Sequence, residues 1–175
     1  MEEAYKKSYA PFLQALSQHA SIRMSLHYSG CLLEWLERCH PEFFAMLRLL
    51  TGRGQVELVG GGYYEPILPA VPDADKRAQI EKLSQYIKKH FGAAPRGAWV
   101  AERVWEPSLA KPLAEGGVGY VVLDDTHFIA AGLDTAALHG SYITEESGAA
   151  MRLIPASNRC ATRSRFRSPT RLCVS

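Results

Sequence analysis

Apolar positions along this chain follow two alternating patterns. Four short segments are continuously apolar or alternate apolar with polar residues, which predicts strands at 22–26, 55–60, 97–102 and 119–123. Between and around them, apolar residues recur every three or four positions, which predicts helices over 2–18, 31–38, 41–50, 73–91 and 107–115. Apolar strands joined by helices indicate a parallel sheet covered by helices.

Polar and aromatic side chains gather where each predicted strand ends. They are His27 and Tyr28, then Tyr63, Tyr64 and Glu65, then Glu102, Arg103 and Trp105, and last Asp124, Asp125 and His127. In β/α barrels the active site lies on this rim, but four strands cannot close a barrel, and a complete one takes about 250 residues. We therefore predict an α/β fold, a segment of a barrel with parallel strands and covering helices.

Composition and charge divide the chain into two parts. Its 175 residues are 47% apolar and 22% charged, which is typical of one globular domain. The net charge of +2 combines 14 basic and 18 acidic residues in 1–151 with six arginines and no acid in 152–175. We predict a partial catalytic barrel domain over 1–151 and an irregular arginine-rich tail over 152–175.

The tail shows no helical or strand period after Ile154. We interpret it as an out-of-frame end of the coding sequence. The alternative is an arm that binds nucleic acid, but such arms usually contain lysine and this one has none. We therefore expect no nucleic-acid partner.

The remaining composition points to a protein without membrane contact. No apolar run approaches the roughly 18 residues of a membrane span, and the N-terminus has no apolar signal core. We expect a cytoplasmic protein. Cys31 and Cys39 are separated by eight positions on a predicted helix, about 12 Å, which is too far for a disulfide. We expect them to be buried or inert thiols.

Glu102 is the first candidate for chemistry. Alternation along 98–102 places Ala98, Val100 and Glu102 on one face of the predicted strand. If the small residues face the barrel axis, Glu102 points into the mouth of the site. The alternative is a surface glutamate in a weak ion pair.

Two further groups of residues have open interpretations. Glu65 follows three glycines and two tyrosines, whose rings could stack on a sugar while the carboxylate accepts hydrogen bonds from hydroxyls; the alternative is a tight turn with aromatic packing. Asp124, Asp125 and His127 could bind a metal, as in a metal-dependent deacetylase-like barrel. The other histidines form no pair at helical spacing, so we favour no metal.

Several segments together resemble glycoside hydrolase family 57, which contains 4-α-glucanotransferases and α-amylases. The similar stretches are HYSGCLLEWL (27–36), GQVELVGGGYYEP (54–66), WVAERVWEP (99–107) and VLDDTHF (122–128). They occur in order within about residues 2–150 and are most similar to the 4-α-glucanotransferase branch. The resemblance implies part of a seven-unit (β/α)7 barrel.

The resemblance also implies a retaining reaction on α-1,4-glucans that needs no cofactor. Glu102 matches the catalytic nucleophile of the family, Glu65 matches a glutamate that lines the substrate site, and Trp105 falls in the sugar-binding wall. We add Tyr64, Asp125 and His27 as substrate-binding residues and expect an α-glucan or maltooligosaccharide as partner.

The chain also departs from the family pattern. The histidine-rich HxHQP motif of the opening strand is absent, and nothing after Ile154 resembles the segment with the acid/base aspartate. We therefore expect a fragment that is inactive alone, and open sheet edges that favour self-association. The alternative is a non-catalytic glucan-binding remnant that uses Tyr63, Tyr64, Trp99 and Trp105.

Overall fold

The computed structural model describes residues 1–156. Its helices are α1 (Glu2–Ala4), α2 (Ala10–Gln18), α3 (Gly30–Cys39), α4 (Pro41–Gly52), α5 (Asp73–Phe91), α6 (Ala110–Glu115) and α7 (Asp125–Ala130). A π-helical segment, Tyr5–Tyr9, joins α1 to α2. The strands are β1 (Met24–His27), β2 (Val56–Val59), β3 (Gly97–Trp99), β4 (Tyr120–Asp124), β5 (Tyr142–Glu146) and β6 (Ala149–Ala156).

The strands form a mainly parallel arrangement. β1 pairs with β2, and a second sheet has the order β3-β4-β6-β5. A single parallel bridge between Gly60 and Ala98 links the two sheets. Within the second sheet only β5 runs antiparallel, because a tight turn joins it directly to β6. The strands therefore end at one common edge, apart from β5.

All four predicted strands are present, and two features differ from expectation. The strand predicted over 97–102 ends at Trp99, and the next residues form a 3-10 turn, Ala101–Arg103. The β5–β6 hairpin was not predicted, and β6 continues to Ala156, past the predicted boundary at residue 151. The rest of the tail, for which irregular structure is predicted, lies outside the described part of the chain.

Two apolar cores support the sheet from its helical side. The first lies between α2, α3, α4, α5 and the strands β1 and β2, and its fully buried members include Leu13, Leu33, Leu36, Leu47 and Leu50. The second packs β3, β4 and β6 against α6 and the 3-10 turn Pro107–Leu109 before it, with Leu109, Leu113, Val121 and Leu123 at its centre. Each such side chain contributes about 1.5–3 kcal/mol on burial.

The faces of β3 are opposite to the prediction. Ala98 and Val100 are buried in the second core, on the helical side. Trp99 lies on the other face, where its ring is 6.4 Å from the ring of His27. The small residues are therefore needed where helices approach the sheet. The alternation of side chains along β3 does not determine where Glu102 points, because the strand ends at Trp99.

Two smaller expectations can also be compared with the structure. Cys31 and Cys39 are free thiols as expected, but both are exposed rather than buried. They lie on the outer side of α3, whose buried positions are Gly30, Leu33 and Leu36. Among residues 1–156 no helix is both long and apolar enough to cross a membrane.

Candidate active site

The candidate site lies at the edge of the sheet where the parallel strands end. His27 is the last residue of β1, and the segment 60–65 follows β2. The turn Ala101–Arg103 comes shortly after β3, and Asp124 ends β4. The position at the carboxyl ends of neighbouring strands is the one that β/α enzymes use for catalysis.

Glu65 follows a tight segment in which two positions have no room for a side chain. A Cβ atom on Gly61 would come within 2.6 Å of the Trp99 carbonyl oxygen, and one on Gly62 within 2.6 Å of Pro66 Cδ. Glu65 itself has a left-handed backbone, with φ of 56°. The chain after β2 thus passes tightly against β3 and turns the Glu65 side chain toward β1.

The Glu65 carboxylate is tied to His27. His27 Nε2 lies 2.6 Å from Glu65 Oε1, and His27 Nδ1 lies 3.1 Å from the carbonyl oxygen of Val59. Because a carbonyl oxygen only accepts hydrogen bonds, Nδ1 carries a proton. The contact at 2.6 Å between Nε2 and the carboxylate then ties Glu65 to His27 by a second hydrogen bond of this ring. The Glu65 side chain is 36% exposed, which leaves it accessible to a ligand.

Glu102 also has a left-handed backbone, but its carboxylate is open. Its φ and ψ are 53° and 10°, and Arg103 follows with φ of 56°. Non-glycine residues in this region cost about 1–3 kcal/mol each and cluster at functional sites. Glu102 is exposed, and no hydrogen bond or ion pair involves its carboxylate within residues 1–156.

Arg103 is held from two sides by residues at the end of the next strand. Its Nη1 donates to Asp124 Oδ1 at 2.6 Å, and its carbonyl oxygen accepts from His127 Nε2 at 2.8 Å. These contacts occupy two of the three residues considered for a metal. In the part of the chain that is described, no group of three His, Cys, Asp or Glu side chains could hold a metal ion.

The two tyrosines before Glu65 have different environments. Tyr63 is buried, and its hydroxyl donates to Glu34 Oε1 at 2.5 Å; burial and this carboxylate raise the pKa of Tyr63. It is a core residue, so the expectation that both tyrosines could stack on a sugar is wrong for Tyr63. Tyr64 is 57% exposed.

Lys82 on α5 contacts the ring of Tyr64, and this contact is not among those predicted from the sequence. Lys82 Nζ donates to the Tyr64 hydroxyl at 2.6 Å and lies 4.4 Å from the centre of its ring. Gln79 Oε1 accepts from the Tyr64 backbone N–H at 2.9 Å. The spacing of Gln79 and Lys82 places them on one face of α5, which is the only sequence signal for this contact.

The predicted site residues therefore fall into two groups. His27 and Glu65 are in direct contact, and Tyr64 adjoins them in the chain but turns toward α5. Glu102, Trp105 and Asp125 belong to the segments that follow β3 and β4. Trp105 packs partly against the second core, and Asp125 begins α7.

Comparisons with known proteins identify the family of the chain. The model of the family described as Glycosyl hydrolase family 57 matches residues 1–159. Alpha-amylase 1 of Dictyoglomus thermophilum is 49% identical over 157 residues, which are 90% of this chain and 23% of that protein. The 4-alpha-glucanotransferase of Thermococcus litoralis is 45% identical over 154 residues, 88% of this chain and 23% of that protein.

A solved structure extends the comparison to the fold. The crystal structure of the Thermococcus litoralis 4-alpha-glucanotransferase has a TM-score of 0.92 with 43% identity, and the match covers 97% of this chain and 27% of that one. The fold is thus that of an α/β protein with a mainly parallel sheet. The chain belongs to glycosyl hydrolase family 57. It spans about a quarter of the length of the curated relatives that it matches.

Proposed function

We propose that the chain is part of a retaining enzyme that acts on α-1,4-glucans, with Glu102 as its nucleophile. The observation that carries the proposal is the Glu102 turn, where an open carboxylate lies on a strained backbone at the carboxyl edge of the sheet. Family membership and relatives named alpha-amylase and 4-alpha-glucanotransferase support the substrate class. The surrounding domain would be an incomplete (β/α)7 barrel.

The reaction would proceed in two displacements at the anomeric carbon. An oxygen of Glu102 forms a bond to this carbon while the glycosidic bond breaks, and an acid group gives its proton to the leaving oxygen. Water or a sugar hydroxyl then attacks the same carbon, returns a proton to the acid group and releases Glu102. Two inversions give net retention.

The other candidate residues would bind the glucan. The oxygen of Glu65 that does not face His27 would accept a hydrogen bond from a sugar hydroxyl, while His27 holds the carboxylate in place. Tyr64 and Trp105 would offer flat apolar faces to glucose rings. Asp125, at the start of α7, would accept from a hydroxyl.

We further propose that the chain alone turns over glucans poorly and associates with itself. Retaining chemistry needs two carboxyl groups about 5–5.5 Å apart, and nothing after Ile154 resembles the segment with the family's acid/base aspartate. Loss of acid/base catalysis typically lowers rates about 10²–10⁴-fold.

β1 is the outer strand of the described sheet, and such an edge favours pairing between chains.

The proposal can be tested with a reagent that needs no acid. In 5-fluoro-α-maltosyl fluoride the leaving group is fluoride, so attack by Glu102 forms the sugar–carboxylate bond and breaks the C–F bond without protonation. We expect a mass increase of one fluoromaltosyl group, mapped to Glu102, and none in the variant E102Q. An adduct on another residue would contradict the assignment of the nucleophile. So would the absence of an adduct when the reagent is used at concentrations at which maltoheptaose saturates the chain.

A separate assay tests the proposed low activity. Product analysis with maltoheptaose is expected to show no clear turnover by the wild-type chain. Turnover that disappears in E102Q would contradict the low activity but support Glu102 as nucleophile. The two parts of the proposal therefore fail independently.

The second candidate function is glucan binding without catalysis. The exposed Tyr64 ring favours it, because Lys82 and Gln79 hold this residue rigidly at the rim. Saturable maltoheptaose binding that weakens about tenfold in Y64A, together with no labelling of Glu102, would favour this function over the first. The variant F12A is the matched control, because Phe12 is an exposed aromatic residue on α2, away from the candidate site.

A further inference from the structure

The structure assigns a positioning role to Asp124 and His127. We propose that these two residues hold Arg103 and thereby keep Glu102 in the left-handed backbone conformation that presents its carboxylate. The inference rests on the proposed role of Glu102 as nucleophile. It gives a function to the VLDDTHF segment that differs from metal binding.

The strand pairing brings the two segments together. β3 and β4 are parallel neighbours, with Trp99 opposite Val122. The chain after β3 therefore reaches the carboxyl edge beside Asp124, the last residue of β4, and His127, in the short helix α7. The distance between the two segments is set by the sheet and not by flexible loops.

The two contacts act on different parts of Arg103. Asp124 accepts from the guanidinium at 2.6 Å, and His127 donates from Nε2 to the backbone carbonyl at 2.8 Å. A carbonyl cannot donate, so His127 Nε2 carries a proton. The contact to the carbonyl fixes the peptide plane after Arg103. The contact to the guanidinium fixes the direction of the Arg103 side chain.

Two backbone hydrogen bonds help to hold the turn in this shape. The Arg103 N–H donates to Val100 O at 2.8 Å, and the Val104 N–H donates to Ala101 O at a longer 3.3 Å. Glu102 and Arg103 both have left-handed backbones without being glycine. Two adjacent residues in this strained region favour relaxation of the turn, and the contacts from Asp124 and His127 oppose it.

Labelling kinetics separate positioning from binding. In H127F the ring remains but the N–H donor is lost, so the first-order rate of labelling by 5-fluoro-α-maltosyl fluoride should fall about tenfold or more while the half-saturating concentration stays within about twofold. H127Q, whose amide can donate to the same carbonyl, should restore the rate to within about threefold of wild type. D124N should show an intermediate loss.

The matched control is H139F, because His139 is exposed and lies outside the site. It should label like the wild type. Wild-type labelling in H127F, or equal losses in H127F and H127Q when both are folded, would overturn the positioning role.

Amide hydrogen exchange measured by NMR tests the same inference without any reaction. The Arg103 and Val104 amides should exchange about tenfold faster in H127F, while the amides of Val121 and Leu123 in β4 stay unchanged. If the wild-type chain is not labelled at all, the proposed function fails, and this readout still decides the role of His127. Unchanged exchange at Arg103 and Val104 would overturn it.

Discussion

Two turns of this molecule place a glutamate in nearly the same backbone conformation by different means. Glu65 has φ of 56° and Glu102 has φ of 53°. The turn before Glu65 contains three glycines, and the Glu65 carboxylate is tied to His27. The turn at Glu102 contains no glycine, and its contacts act on the neighbouring Arg103.

This difference in how the two turns are held explains how a residue with a strained backbone can keep its carboxylate unbound. A side chain that holds its own backbone in place, as Glu65 does through His27, uses part of its hydrogen-bonding capacity for this purpose. A side chain whose neighbour is held instead keeps both carboxylate oxygens open. The contrast is consistent with the proposed roles, in which Glu65 orients a ligand and Glu102 reacts with it.

The largest expected effect concerns the glycines of the first turn. In G61V the new Cβ would lie 2.6 Å from the Trp99 carbonyl oxygen and 3.1 Å from His27 Cε1. The backbone must shift, so we expect a loss of about 3 kcal/mol in the free energy of unfolding by urea. G140V is the control, because nothing lies within 4 Å of its Cβ position. A loss below about 1 kcal/mol in G61V would contradict the tight approach of the two strands.

Glycine substitution of the two glutamates should have opposite effects. E102G relieves the left-handed strain and removes no side-chain hydrogen bond or ion pair within residues 1–156, so we expect a gain of about 0.5–1 kcal/mol in stability. E65G relieves the same strain but loses the hydrogen bond to His27, and we expect a net loss of about 0.5–1 kcal/mol. Equal shifts of the two urea midpoints would mean that the turns are held in the same way.

The smallest effect is a difference in alkaline stability. Tyr28 follows His27 and is buried in the first core, and burial raises its pKa from 10 to about 12. The folded chain therefore holds this proton more tightly than the unfolded chain, so the associated stability is complete below pH 10 and is lost as the pH rises from 10 to about 12.

The variant Y28F tests this titration because it lacks the ionisable hydroxyl. Its stability, measured by circular dichroism in urea, should decline less than that of the wild type across this pH range. Equal declines would contradict the role of Tyr28. The second core has no buried tyrosine among its described members, so the same titration does not act directly under the Glu102 turn.

Much of the fold follows from the hydrophobic pattern, because the strands β1 to β4 and the long helix α5 bury one clear set of apolar residues. The β5–β6 hairpin was missed although Ser147 and Gly148 form a turn signal. The strand over 97–102 was predicted too long, because Val100 and Ala101 are apolar for packing reasons and not because they pair with another strand.

The candidate site could be predicted only in part. The clustering of polar residues at strand ends was visible in the sequence, and the contact between His27 and Glu65 is consistent with it. The left-handed turn at Glu102 was not visible, because its signal is usually glycine and here the conformation depends on residues of the next strand. Long-range contacts of this kind leave no local pattern.

The most direct test of the contrast between the two turns is the reactivity of their carboxylates. The chain would be treated with a water-soluble carbodiimide and glycine ethyl ester, and modification of Glu65 and Glu102 would be followed by peptide mass spectrometry in the wild type and in H27F. We predict that Glu102 is modified about tenfold faster than Glu65 in the wild type, and that Glu65 approaches the rate of Glu102 in H27F. Equal rates in the wild type, or no change at Glu65 in H27F, would contradict the account.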